Sequence, residues 1–319
     1  MNWLAAAGTF VGAAAIYPLA ISGLGRVGLR QVERADVPSS HRAKTGTPTS
    51  GGVVFVLGVL AAWAVVTRDA AGGLVVGAAC LGCGLGLADD LLKLRRGEGV
   101  RFRPKLLLLA VAAGLLAWGL HATAAQVQTV PVLGSRDLGW GVLVLAAVAI
   151  LGTANATNLT DGIDGLAAGC AIPGFAACAA LAALEHRPGL ELCCVCFAGA
   201  LLAFLGFNLP RARVFMGDAG SLAVGLALAV AAVEVGALIL LPLLGLVFVG
   251  EASSVMIQLG HVKLTHGRRL FRASPIHHHF EEGGWGEWAI DLRFWALALV
   301  GAGLGAFWAA ASGLPRGLP

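Results

Sequence analysis

The chain has 319 residues, 58% of them hydrophobic and only 13% charged, with a mean hydropathy of +0.82 and a formal net charge of +4. Soluble domains carry about 25% charged residues, so this composition excludes a soluble globular protein and indicates an integral membrane protein.

Ten apolar runs follow in chain order, at residues 3–25, 51–67, 72–88, 105–121, 138–157, 165–184, 190–208, 218–233, 236–258 and 292–312. Each is close to the length of a membrane-spanning helix, which needs roughly 20 apolar residues. The expected fold is therefore all-α, a polytopic membrane bundle of about ten transmembrane helices forming a single domain over residues 1–319. The long run at 218–258 is split at Glu234, because one helix of that length would extend about 60 Å, twice the hydrocarbon thickness. No cleavable signal peptide is expected, since no charged segment precedes the first run and a basic loop follows it directly.

Orientation follows from Lys and Arg, which concentrate in cytoplasmic loops. One alternating set of loops (26–50, 89–104, 158–164, 209–217 and 259–291), with the flanking Lys105 and Arg293, holds eighteen of the 22 basic residues; Arg68, Arg136, Arg187 and Arg316 make up the rest. Both termini are then extracytoplasmic, and a polar cleft faces the cytoplasm. The seven cysteines lie in or beside apolar runs. Even the Cys80–Cys83 pair reads as small-residue helix packing rather than a disulfide or metal site.

Five polar clusters fall on the cytoplasmic side. "HRAKTGTPTSGG" (41–52) combines Lys44 with a glycine-rich backbone that can approach a phosphate; the simpler alternative is a turn before a span. "LADDLLK" puts Asp89 and Asp90 at a helix end, with Lys93 placed to pair with Asp89. Adjacent carboxylates there call for a compensating cation, whether a salt-bridging lysine or a divalent ion. "NATNLTDGIDG" (155–165) lines up Asn158, Asp161 and Asp164 with two glycines, as oxygen ligands or as a cap for the next span.

"VFMGDAGS" sets Phe215 before Asp218, which is either an N-cap or a metal ligand at a helix N-terminus. "SPIHHHFEE" carries His277, His278 and His279 followed by Glu281 and Glu282. Three adjacent imidazoles do not readily chelate one ion, so phosphate or ribose binding and proton transfer are better uses for them. Glu251 is the sole carboxylate well inside a span, as an ion-coupled transporter would use it, but the other acids gather at one interface.

Taken together, "KTGTPTSGG", "ADDLLK", "NLTDGIDG", "FMGDAGS" and "SPIHHHFE" resemble the polyprenyl-phosphate N-acetylaminosugar-1-phosphate transferase superfamily. Within it they resemble the phospho-N-acetylmuramoyl-pentapeptide transferase family, from about Lys44 to Trp295 and in the same motif order. The triple histidine favours that branch over those using UDP-GlcNAc. The resemblance implies a Mg²⁺-dependent enzyme of the bacterial cytoplasmic membrane, homodimeric, that moves phospho-MurNAc-pentapeptide from UDP-MurNAc-pentapeptide to undecaprenyl phosphate. Its partners would be these two substrates and the bilayer, with no nucleic acid. It implies catalytic roles for Asp89, Asp90, Asp218 and His277, with Asp218 the metal ligand. Substrate would be bound by Lys44, Lys105, Asn158, Asp161, Asp164, Phe215, Gln258, His277 and His278. Ser50 and Ser274 depart from residues common in the family, at positions without a proposed chemical role.

Overall fold

The structure is a computed structural model that describes residues 2–30, 46–123 and 126–313. Its helices are α1 (Asn2–Val27), α2 (Gly52–Val66), α3 (Ala70–Arg96), α4 (Phe102–Ala122), α5 (Gly141–Thr160), α6 (Leu166–Leu184), α7 (Pro188–Asn208), α8 (Gly217–Glu234), α9 (Leu241–Leu244), α10 (Leu246–Leu264), α11 (Ile276–Glu281) and α12 (Glu287–Ala311). A short antiparallel hairpin, β1 (Val127–Val130) and β2 (Gly134–Asp137), joins α4 to α5.

Among the described residues, eight helices are long and apolar enough to cross a membrane, or nine if the bent segment from Leu238 to Leu264 is one span. Each predicted apolar run falls on helix, and α8 ends at Glu234, where the split was placed. Two expectations are corrected. The run at 236–258 is not one helix: a 3₁₀ turn and α9 meet α10 at 85°. Pro242 and Gly245 lie at that break, and both residues weaken helix continuity. The fold is also not purely helical, because the β-branched stretch before the Gly134 turn pairs as a hairpin. Gln128 ties that hairpin to the end of α8, donating to the Val233 carbonyl at 3.0 Å and accepting from the Leu238 N–H at 2.9 Å.

α8 is the central helix, with 89% of its span buried against 17% for α1. Glycine lets its neighbours come close. A Cβ at Gly86 of α3 would lie 2.1 Å from the Asp218 carbonyl oxygen, and one at Gly82 would lie 2.7 Å from that of Leu222. On α2, a Cβ at Gly52 would lie 2.1 Å from the Gly220 Cα. Small residues at such crossings drive helix association in lipid, where apolar burial gives little net gain. Here they also set the distance between the acidic ends of α3 and α8.

At the opposite end of α8, Arg187 bonds both the backbone carbonyl and the carboxylate of Glu234, which also accepts from Thr123 at 2.7 Å. Glu185 lies beside them, just past α6 and 3.9 Å from Arg187. The cysteines are all free thiols, and six of the seven are buried, as the packing interpretation requires.

Two predictions follow from this packing. Gly86→Ala should lower the thermal midpoint in detergent, at an overpacking cost of about 1–3 kcal/mol; Gly84→Ala, where a Cβ meets nothing within 4 Å, should not. Burial pushes the Glu185 carboxyl up from an ordinary 4.5 to about 7, with Glu234 adding to the rise and Arg187 opposing it. The folded state then holds this proton more tightly than the unfolded chain, so Glu185 makes stability fall as pH rises from about 4.5 to about 7. Glu185→Gln should therefore raise the thermal midpoint at pH 8 relative to wild type and leave it unchanged at pH 4.

Candidate active site

Clusters far apart in sequence meet where the C-terminal end of α3 faces the first turn of α8. Asp89 and Asp90 are both buried there, and their carboxylates face different ways. Asp90 accepts the Ser50 hydroxyl at 2.8 Å and the backbone N–H groups of Asp218 and Ala219 at 3.3 Å each. Helix N-termini leave such amides without partners and favour negative charge, so Asp90 caps α8 from a neighbouring helix. Gly217, at φ +67°, leaves room for this contact, since a Cβ there would lie 2.5 Å from the Asp90 carboxylate.

Asp89 turns toward the cations. Its Oδ1 accepts the Val100 N–H, and its Oδ2 lies 3.2 Å from the ammonium groups of both Lys93 and Lys105. Asp218 joins them, 2.9 Å from Lys93 and in direct contact with Lys105. Its other oxygen accepts the Asn158 amide at 3.1 Å, and that amide also reaches the Ser221 hydroxyl. The N-cap alternative for Asp218 does not describe what its carboxylate does; the position it occupies is the first turn after Met216.

The Lys93 nitrogen is within 3.4 Å of an oxygen from each of the three aspartates. Asp90 is also engaged by the α8 amides, whereas Asp89 and Asp218 share both Lys93 and Lys105. Such a set of hard oxygen donors fits a divalent ion of the Mg²⁺ kind, which takes one or two carboxylates and completes its shell with phosphates and water. The three aspartates do not form a closed cage: among the described residues, the three His, Cys, Asp or Glu ligand atoms that lie within 4.8 Å of one another are those of His277, His278 and Glu281. In that group His277 Nδ1 already faces Glu251, and His278 Nδ1 faces Glu281 at 2.5 Å.

The acidic loop after α5 completes the floor. Burial, followed by repulsion from Asp218, Asp90 and Asp164, holds the Asp161 carboxyl well above the usual carboxylate range. Asp164 is buried, and one of its oxygens accepts the backbone N–H groups of Arg211 and Ala212 at 3.1 and 2.9 Å. It thereby ties the loop before α8 to the loop after α5. Phe215, at the end of the loop before α8, is half-buried and joins that loop to the segment before α2, with its N–H on the Pro48 carbonyl and its carbonyl on the Gly51 N–H.

Gln258 is buried on α10, and its side-chain oxygen accepts the N–H groups of Leu270 and Phe271 at 3.0 Å each, while its amide donates to the Phe271 carbonyl. It holds the segment leading to the histidines. His277 is fully buried beneath Gly162, His278 is half-exposed, and His279 accepts the Arg272 N–H at 3.1 Å. Lys44 lies outside the described residues. The structure thus brings together Asp89, Asp90, Asp218, Lys105 and Asn158, with Asp161 beside them. Ser50, Lys93 and Glu251 are polar partners that the motifs left without a site role; Lys93 had a signal in its spacing from Asp89, and Glu251 in its place within a span.

Asp164→Ala should leave two partly buried amides without their acceptor, at a cost of about 1–3 kcal/mol. Thermal unfolding in detergent should register this, with Asp164→Asn less affected because it keeps an oxygen.

Known proteins are similar to this chain in sequence over most of its length. The glycosyl transferase family 4 profile matches residues 73–236. A phospho-N-acetylmuramoyl-pentapeptide-transferase from Geobacillus kaustophilus is 41% identical over 95% of this chain and 96% of its own length. Proteins of the same name from Moorella thermoacetica (44% identical; 89% of this chain, 91% of that one) and Desulforamulus reducens (42%; 93% and 92%) agree. The chain therefore belongs to glycosyl transferase family 4 and, within it, to the phospho-N-acetylmuramoyl-pentapeptide-transferase family.

Proposed function

We propose that the protein transfers phospho-MurNAc-pentapeptide from UDP-MurNAc-pentapeptide to undecaprenyl phosphate, giving lipid I and UMP, in the bacterial cytoplasmic membrane. The observation that carries this is the convergence of Asp89 and Asp218, from two helices, on Lys93 and Lys105. Phosphoryl transfer asks a protein mainly for positioning and for neutralising phosphate charge. The basic-residue asymmetry supports a cytoplasmic site, ten spans and extracytoplasmic termini, and the family resemblance extends to a homodimer.

Asp218 and Asp89 would hold Mg²⁺, which when bound supplies charge neutralisation at the diphosphate. Lys93 and Lys105, which meet the carboxylates here, would be placed to neutralise phosphate oxygens. Asn158 keeps Asp218 oriented, and Asp90 keeps the first turn of α8 in place. Phe215 offers a face for the uracil ring. A cleft beside Asp89 and Lys105 is walled by Leu85, Val100, Leu108, Leu109 and Leu222, and Leu108 is half-exposed on the lipid-facing side of α4. This favours an acceptor phosphate that arrives on an apolar tail.

In direct attack, an oxygen of the lipid phosphate bonds to the β-phosphorus, the bond to the bridging oxygen breaks, and UMP leaves with that oxygen. Asp89 accepts the remaining proton of the lipid phosphate where one is present. Direct attack is favoured over a covalent aspartyl intermediate because a phosphate dianion is already a competent nucleophile.

Purified protein in detergent, given undecaprenyl phosphate and Mg²⁺, should release UMP from UDP-MurNAc-pentapeptide and not from UDP-GlcNAc, and EDTA should stop it. Release from UDP-GlcNAc would move the chain to a sibling activity, and release from neither would defeat the proposal. Asp218→Ala should abolish turnover, and Asp89→Asn should reduce it by about 10²–10⁴-fold, both without loss of folded protein.

A further inference from the structure

α10 carries a line of buried polar residues along one face. Glu251, Ser254 and Gln258 are all buried on one face, whereas Met256, Ile257 and Leu259 are exposed on the other. The two longest members of that line reach the histidine segment: Gln258 bonds the backbone at 270–271, and Glu251 meets His277. Glu251 and His277 are both 0% exposed, with Glu251 Oε2 3.0 Å from Nδ1. A carboxylate in lipid or protein interior persists only with a partner, and His277 is that partner.

The far edge of the ring is equally constrained. His277 Nε2 lies where a side chain at Gly162 would begin, since a Cβ there would come within 2.3 Å of it. Gly162 sits between Asp161 and Asp164. One imidazole thus lies between the carboxylate that meets Nδ1 and the glycine of the acidic loop, and its two nitrogens are not interchangeable.

We infer that Glu251 is the positioning residue for His277, accepting the Nδ1 proton so that Nε2 is the nitrogen turned toward the Asp161–Asp164 loop. A carboxylate can only accept hydrogen bonds, so it selects the Nδ1–H tautomer and fixes the ring plane at once. Gly162 is the matching half of the device, because alanine would displace the ring. The role in turnover rests on the transferase reading above; the tautomer assignment does not.

The test uses the full-length protein in detergent with ¹⁵N-labelled histidine, the His277 signals being identified by their loss in His277→Gln. Wild type should show His277 protonated at Nδ1. Glu251→Ala should lose that form and lower UMP release by about 10- to 100-fold, the scale seen when a carboxylate that orients a metal-bound histidine is removed. Glu251→Gln, whose amide oxygen accepts the same proton, should keep the Nδ1–H signal and recover most of the activity, and it serves as the test if the alanine variant does not fold. An Nε2–H ring in wild type, an unchanged tautomer in Glu251→Ala, or a Gln variant that keeps the tautomer yet is as inactive as Ala would each overturn the inference. If wild type releases no UMP from either donor, the transferase reading fails while the tautomer result still decides the role of Glu251.

Discussion

The rest of the site depends on the close crossing of α3 and α8. Glycines at 82 and 86 let the two backbones approach until a Cβ would touch carbonyl oxygen. That approach delivers Asp89 and Asp90 to the first turn of α8, where Asp218 already stands. Three carboxylates in a partly desolvated space repel one another strongly unless cations lie among them. Lys93, Lys105 and the α8 N-terminus supply that compensation, the last through the amides that Asp90 caps. The arrangement is electrostatically balanced: ammonium groups on flexible stems offset carboxylates that two closely packed helices hold in place.

A second layer holds the loops around this centre. Asp164 fixes the loop before α8, Gln258 fixes the segment before the histidines, and Glu251 grips His277 itself. All three are buried polar side chains with backbone or imidazole partners, so they act on the shape of the cleft. Loops that carry binding groups need such anchors, because a displacement of about 1 Å can lower a rate a hundredfold.

Much of this was legible in the sequence where one physical variable dominates. Hydropathy located the helices, since only long apolar runs suit lipid, and the break at Glu234 followed from bilayer thickness. The i,i+4 spacing of Asp89 and Lys93 foretold their contact. The 85° bend at 245 was not legible, because Pro242 and Gly245 permit a break without specifying its angle. The hairpin was hidden by its shortness. The division of labour between Asp89 and Asp90, and the inward turn of Asp164 and Gln258, depend on which helix lies opposite, a tertiary fact that spacing along one chain does not carry. Glu251 stood out as a carboxylate within a span, yet its partner lies 26 residues away across a bend.

We propose that Asp89 and Asp218 together form one divalent-cation site. Titration of the purified protein with Mn²⁺, followed by electron paramagnetic resonance, tests it without substrates or turnover. One site should bind Mn²⁺, with an affinity that falls in both Asp89→Asn and Asp218→Asn and is unchanged in Asp137→Asn, an exposed aspartate on β2. Equal Mn²⁺ affinity in wild type and in both site variants would contradict it.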